Sequence, residues 1–302
     1  MRDKDTLLLE KAYKLIEQNV GSYMNRPNTQ PTVKRIPPSQ SDNINKQKLQ
    51  QVLQQVDYTG FVQNLDKLLN DPKVAEILAG GHTDGAPRDE IINMVDAAPS
   101  VQALRPTQNE IDLDKSLWYP LYKQPATIGQ WLQAGENIVK VGPPNNNTII
   151  TAGNPAKYII DGHHRWSSLY CINPNAKIAA INMENIKNPF QGLKAAQIAI
   201  GATIGNIPTQ SVEGTNLLDP SLTAEVFNQW YVKTASEQAK QEFQKNGINN
   251  PVEYLWNNIL LMRKTSHPIK GAPERGVMPQ TDTAPGWRDK LVSGKANFAS
   301  PV

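Results

Sequence analysis

Hydrophobic side chains follow a helical spacing in two parts of the chain and a strand-like spacing between them. Over residues 47–99 they recur every three or four positions, beginning with Leu49, Val52 and Leu53, which predicts helices with one buried face. The same spacing returns over residues 189–266 and predicts a second helical region. We therefore expect two helical segments separated by a region of another kind.

The region between them, residues 100–188, carries four runs rich in aliphatic and β-branched residues. They are I-V-K-V from residue 138, T-I-I-T from 148, K-Y-I-I from 157 and K-I-A-A-I-N-M from 177. Such runs predict strands, and a shorter strand is expected over 101–104. Helical patterns follow over 117–131 and directly after the third run. The fold class predicted is α/β (α+β), with a small mixed sheet flanked by helical segments.

The two ends of the chain differ from these regions. Residues 1–20 place Leu8, Ala12, Leu15 and Ile16 on one helical face and predict a short amphipathic helix. Residues 21–46 are rich in Asn, Pro, Gln and Ser and are predicted to form a linker. Residues 267–302 contain several prolines and glycines, which predicts an irregular arm lying on the surface of this protein or of a partner.

Composition and charge exclude several classes of protein. The 302 residues suggest about two domains. There are 31 Lys and Arg against 28 Asp and Glu, a net charge of +3, which is too small for a protein that binds nucleic acid by bulk charge. The single cysteine, Cys171, excludes a disulfide framework and a zinc site of several thiolates, and four histidines leave little material for another metal site. No apolar run is long enough to span a membrane. We expect a cytoplasmic protein, or a virion protein if a phage encodes it.

The candidate chemistry is concentrated in D-G-H-H-R, residues 161–165, where the third predicted strand turns into a helix. Gly162 permits a tight turn, and the amides and dipole at a helix N-terminus attract anions. Arg165 can bind phosphate oxygens through two parallel hydrogen bonds, and His163 or His164 can donate a hydrogen bond or a proton. In the alternative, purely structural interpretation, Asp161 caps the helix, Arg165 pairs with an acid and the histidines have no role.

A second polar segment, L-R-P-T-Q-N-E-I over residues 104–111, precedes these strands. Together with D-G-H-H-R in its strand, turn, helix and strand setting, it resembles the phosphate-binding boxes of the ParB and sulfiredoxin superfamily. The resemblance covers roughly residues 100–185. It implies that the nucleotide is bound by Gly162, His163, His164 and Arg165, with Gln108 of the earlier segment facing it.

The D-G-H-H-R motif of this chain differs from the motifs of two branches of the superfamily. Sulfiredoxins have a catalytic cysteine where this chain has His163, and DNA-partitioning members usually carry Glu-Arg-Arg after the glycine. The closest form of the motif, Asp-Gly-x-His-Arg, is found in the free-serine kinases of the superfamily. This resemblance implies that Glu110 acts as the base toward a hydroxyl group and that Asp161 assists, although Asp112 and Asp114 are near enough to replace Glu110.

Three functions follow as hypotheses. The first is an enzyme that binds a nucleotide (ATP, ADP or CTP) with Mg, and hydrolyses it or transfers its phosphoryl group to a small hydroxyl acceptor. The second is a ParB-like DNA-binding protein, with or without nuclease activity. The third is a catalytically degenerate domain whose helical arms serve assembly with protein partners, for example in a phage particle. Trp118 and Trp131 lie between the two polar segments and are either base-stacking or core residues.

Overall fold

The computed structural model describes residues 40–80, 92–144, 146–210 and 214–296. The predicted helix over 1–20 and most of the predicted linker over 21–46 lie outside these residues. In the described part of the chain, no helix is both long enough and apolar enough to cross a membrane.

Three helices open the described chain: α1 (Gln40–Leu53), α2 (Tyr58–Leu69) and α3 (Pro72–Leu78). The carboxylates of Asp57 and Asp71 cap α2 and α3, at 2.7 and 3.0 Å from the backbone nitrogens of Gly60 and Lys73. The helical prediction is therefore correct as far as Leu78, but α1 begins before the predicted end of the linker. A linker ending at residue 46 is thus wrong for its last seven residues.

The strands form a five-stranded sheet and a separate two-stranded sheet. The strands are β1 (Met94–Ala97), β2 (Arg105–Pro106), β3 (Ile138–Val139), β4 (Ile149–Ala152), β5 (Tyr158–Asp161), β6 (Lys177–Ile178) and β7 (Ala180–Met183). The large sheet has the order β1-β7-β4-β5-β2, and β3 pairs with β6 in parallel. All four predicted β-rich runs are strands, but the fourth divides into β6 and β7, which belong to different sheets.

Two sequence expectations about this sheet were wrong. β1 lies inside the segment predicted to be helical, so the sheet begins before residue 100. The short strand expected over 101–104 is instead a 3-10 helix, Val101–Ala103, followed by β2. Both errors have the same cause: β1 and β2 are short strands at the two edges of the sheet, where pairing rather than local pattern makes them strands.

Eight further α-helices and a π-helix follow in the part of the chain that the structure describes. The first of them are α4 (Leu113–Trp118), the π-helix (Tyr119–Lys123), α5 (Ala126–Leu132), α6 (His163–Ile172), α7 (Pro189–Ile204) and α8 (Ala224–Thr234). The chain continues with α9 (Glu237–Lys245), α10 (Pro251–Thr265), the 3-10 helices Arg275–Val277 and Thr281–Thr283, and α11 (Trp287–Val292). The mixed α/β class predicted from the sequence is confirmed.

Helices cover both faces of the large sheet, because neighbouring side chains of a strand point to opposite faces. On β5, Ile160 belongs to the apolar core that includes α1, α2, α3, α7 and α11. The adjacent Ile159 belongs to the second core, formed with α4, α5, α6, α8, α9 and α10. The predicted irregular arm is therefore more ordered than expected, since Trp287 and Leu291 of α11 are buried in the first core.

β2 and β5 are parallel neighbours, with Arg105 opposite Tyr158 and Pro106 opposite Ile159. Parallel strands that lie side by side end at the same edge of a sheet. The polar segment after β2 and the turn after β5 consequently leave the sheet together, although about 50 residues separate them in the sequence. This pairing creates the candidate site.

Candidate functional site

Gly162 makes the turn between β5 and α6. Its φ is +95°, and a Cβ atom there would lie 2.6 Å from Cγ2 of Ile149. Both the backbone conformation and the close approach require glycine. As the N-cap residue, Gly162 supplies no side-chain acceptor to α6, and the positive end of the helix dipole points toward the candidate site.

The two histidines hold the polar segment 107–112 against α6. Nε2 of His163 accepts a hydrogen bond from the backbone N–H of Thr107 at 3.1 Å, and Nε2 of His164 accepts one from the N–H of Asp112 at 3.3 Å. Each imidazole is thus neutral, with its proton on Nδ1. The histidines have a structural function that neither interpretation of the sequence anticipated.

Burial lowers the pKa of His163 to about 3, and the positive charges of Arg275 and Arg165 act in the same direction. Burial likewise lowers the pKa of His164 to about 3, with Arg275 as the next contribution. Both imidazoles are therefore expected to be neutral near pH 7, in agreement with the hydrogen bonds that their Nε2 atoms accept.

Arg165 and Asp161 form an ion pair across the turn, with 2.8 Å between Nη2 and Oδ2. Nη1 of Arg165 donates to Oδ1 and the backbone oxygen of Asn146, and to the backbone oxygen of Thr148, each at 2.8 Å. The pairing expected by the structural interpretation is thus present, but Asp161 does not cap α6. Arg165 ties the turn to the segment that precedes β4.

A second arginine, Arg288 at the start of α11, binds the same oxygen atoms. Its Nη1 lies 2.5 Å from Oδ1 of Asn146, and its Nη2 lies 2.6 Å from the backbone oxygen of Thr148. Nε of Arg288 is buried and has no hydrogen-bond partner in the described part of the chain. Two guanidinium groups therefore share their acceptors, and Asp161 is the carboxylate that Arg165 contacts.

The C-terminal arm crosses the polar segment before it reaches α11. The backbone oxygen of Ala272 accepts from Nδ2 of Asn109 at 2.7 Å. The backbone N–H of Arg275 donates to Oε2 of Glu110 at 3.1 Å, and its guanidinium donates to Oε1 of Gln108 at 3.3 Å. The predicted nucleotide-facing side chains of this segment are thus in contact with the arm.

Arg275 links the two predicted catalytic carboxylates. Burial lowers its pKa, while the charges of Asp282, Asp161, Asp112 and Glu110 oppose this shift. The arm also contacts Asp161 directly, because the Thr281 hydroxyl donates to its Oδ1 at 2.9 Å. The arm thus contacts Glu110 through Arg275 and Asp161 through Thr281.

The arm residues of the site were missed by sequence reasoning. Arg275, Thr281 and Arg288 stand in a Pro- and Gly-rich segment without periodicity, so no local pattern points to their position. The only available signal was the presence of two arginines in a segment otherwise typical of a loose tail. The position of Arg288 in the site depends on long-range packing of α11 against α7.

Three other observations concern aromatic, thiol and metal-binding groups. Trp131 is a core residue, whereas Trp118 is 43% exposed. Cys171 is fully buried, and burial raises the pKa of its thiol to about 12. Among the described residues there is no cluster of three or more His, Cys, Asp or Glu side chains suited to a metal ion.

The chain was compared with protein-family models, with curated proteins and with solved structures. No match was found in any of the three.

Proposed function

We propose that this protein binds the phosphate groups of a nucleotide at the N-terminus of α6 and transfers a phosphoryl group to a small hydroxyl acceptor or to water. The observation that carries the proposal is the sharing of acceptors by Arg165 and Arg288 beside an uncapped helix N-terminus. Two adjacent guanidinium groups repel each other, and a phosphate placed between them would relieve the repulsion. Arginine pairs of this kind fit the oxygen atoms of a phosphate.

Nε of Arg288 adds a specific argument. A buried donor without a partner is costly, commonly about 1–3 kcal/mol, and is expected to be satisfied by a ligand or by water. A phosphate oxygen is a suitable acceptor for this donor. The phosphate is accordingly proposed to bind through Arg165 and Arg288, while the imidazoles keep their backbone partners.

The phosphoryl step uses the two carboxylates. The acceptor oxygen attacks the terminal phosphorus, the bond from that phosphorus to the bridging oxygen breaks, and the nucleoside diphosphate leaves. Glu110 takes the proton of the acceptor, and Asp161 orients the acceptor or the arginines. Because the N–H of Arg275 donates to Glu110, the arm has to move away from the polar segment before an acceptor can reach this carboxylate.

A magnesium ion would fit this scheme only in part. Mg²⁺ is commonly held by one or two carboxylates together with substrate phosphates. Asp161 and Glu110 are the carboxylates that could serve, and each already accepts a hydrogen bond from the arm. Most of the ligands of the magnesium ion would therefore be phosphate oxygens and water molecules, and few would come from the protein.

The test is thermal unfolding of the full chain with ATP, ADP, CTP, inorganic phosphate or short duplex DNA, each with and without Mg²⁺. A ligand present at about 100 times its Kd stabilises a protein by roughly 2.7 kcal/mol. We expect nucleotides to stabilise the wild type and to lose this effect in the Arg288→Gln variant. Arg263→Gln is the matched control, because Arg263 is also a half-buried arginine held by backbone oxygens, in this case those of Leu217, Asp219 and Leu222.

Turnover is tested separately with Glu110→Gln. This variant is expected to keep nucleotide binding and to lose phosphoryl transfer, measured as nucleoside diphosphate released. Equal stabilisation of wild type and Arg288→Gln by nucleotide would contradict the proposed phosphate site. Stabilisation by duplex DNA alone would favour the ParB-like DNA-binding alternative.

A second candidate function is structural. Arg165 donates four hydrogen bonds within the chain, and both imidazoles bind backbone N–H groups, so the D-G-H-H-R motif has internal partners without any ligand. In this interpretation the motif joins β5, the polar segment and the arm in an assembly protein. The absence of stabilisation by every nucleotide in the panel is the result that this candidate predicts.

A further inference from the structure

The exposed aromatic side chains of the described residues are confined to one short segment. Trp118 is 43% exposed, Tyr119 is 39% exposed and Tyr122 is 58% exposed. These three residues, here called the aromatic platform, follow the polar segment at the end of α4 and in the π-helix. Clustered exposed rings are unusual on a surface and commonly mark a binding site.

The backbone beneath the aromatic platform is well fixed. Leu117 and Leu121, on the inner side of the same segment, are fully buried. The backbone oxygen of Leu121 accepts hydrogen bonds from the N–H and the hydroxyl of Ser236, both at 3.0 Å. A π-helical turn in such a position is often associated with function. A ligand would therefore meet rings that are held by a packed scaffold rather than by a loose loop.

The rings are already arranged for stacking. The centroids of Trp118 and Tyr122 lie 5.5 Å apart and their planes differ by 28°. Both rings are also exposed to solvent, so a flat ligand could add to this stack. Nucleic-acid bases stack on aromatic side chains regardless of their identity, because every base has a π face.

The charge of the segment selects among flat ligands. Lys115 and Lys123 are exposed and flank the platform in the sequence, and Lys115 lies three residues before Trp118 on the same helical face. The nearby Asp114 carboxylate accepts a hydrogen bond from the indole N–H of Trp230 at 2.8 Å. The two lysines favour an anionic chain over an uncharged sugar.

We propose that the aromatic platform binds single-stranded nucleic acid, with bases stacked on Trp118 and Tyr122 and backbone phosphates beside Lys115 and Lys123. This inference is independent of the nucleotide site at α6. It assigns a function to a surface outside the charged cluster of Arg165, Arg275 and Arg288.

The experiment measures fluorescence anisotropy of a labelled oligothymidylate of about 12 nucleotides, within the usual site size of single-strand binders. The full chain is compared with Trp118→Ala and Tyr122→Ala, and with Val232→Ala as a control. Val232 is 65% exposed on α8.

Loss of one stacking ring is expected to weaken binding roughly 5- to 150-fold, whereas the control keeps wild-type affinity. Unchanged thermal midpoints verify folding, and Trp118→Phe, which keeps a ring, is expected to restore most of the affinity.

Two further measurements make the result specific. If two phosphates are contacted, a plot of the logarithm of the binding constant against the logarithm of salt concentration should have a slope of about −1.4. Lys115→Gln should make this slope less steep. Arg288→Gln should bind the oligonucleotide like the wild type, so failure of the nucleotide site is distinguishable from failure of this proposal. Absence of oligonucleotide binding, or binding unaffected by removal of both rings, overturns the inference. Self-association that is lost in Trp118→Ala, without oligonucleotide binding, overturns it in favour of a protein interface.

Discussion

Lowering the pH from 7 to 5 should destabilise this protein through His163, which is neutral and buried between α6 and the polar segment. Its pKa falls from an ordinary value of 6.5 to about 3 on folding. The unfolded chain therefore binds more protons at this residue than the folded chain does between these two values. The stability contributed by the neutral imidazole is complete above pH 6.5 and is lost as the pH falls below it.

The size of the destabilisation follows from the pH interval over which the unfolded chain binds the extra proton. Each pH unit between the two pKa values changes the free energy of unfolding by about 1.36 kcal/mol. From pH 6.5 to pH 5, His163 alone should cost about 2 kcal/mol. The pKa of His164 is lowered in the same direction, so this residue adds to the loss.

Urea unfolding at pH 7 and pH 5 measures the effect. Carboxylates also titrate in acid, so the informative quantity is the difference between variants. His163→Gln keeps an acceptor for the Thr107 N–H without titrating, and it should reduce the loss of stability between the two pH values by about 2 kcal/mol. His267→Gln, which removes an imidazole exposed in both folded and unfolded chains, is the control. An identical loss in His163→Gln and the wild type would refute the reasoning.

Three other predictions test the turn, the core and the arm. Gly162→Ala should lower the free energy of unfolding, measured with urea, by clearly more than the roughly 1 kcal/mol expected for Gly135→Ala. Both glycines have a positive φ, but only a Cβ atom at position 162 would clash with Ile149. Cys171 should react with iodoacetamide at pH 8 only on unfolding, because burial raises its pKa to about 12; rapid alkylation of the folded chain would contradict this. Thr281→Val should remove one hydrogen bond of the arm and speed amide exchange there, at a cost of about 1 kcal/mol; unchanged exchange would show that this bond does not hold the arm.

The extent of agreement between sequence and structure depends on how local each feature is. The helix carrying Phe61 and Leu65 and the strand before Gly162 are visible in the sequence because each buries a regular set of side chains. β1 and β2 are not visible, since edge strands of two to four residues owe their conformation to pairing with β7 and β5. The π-helix was not predicted from the sequence for a related reason: the backbone oxygen of Leu121 in it accepts hydrogen bonds from Ser236, which is distant in the chain.

The candidate site divides in the same way. The sequence by itself determined the D-G-H-H-R turn, because only glycine suits a φ of +95° and because the motif and its strand-turn-helix setting are contiguous. Tertiary structure alone decided what the motif's side chains do. Pairing of β2 with β5 gave the histidines backbone partners, and packing of α11 against α7 brought Arg288 to the acceptors of Arg165. The hydrogen-bond partners are 56 to 165 residues apart in the chain, and such contacts leave no periodic pattern in the sequence.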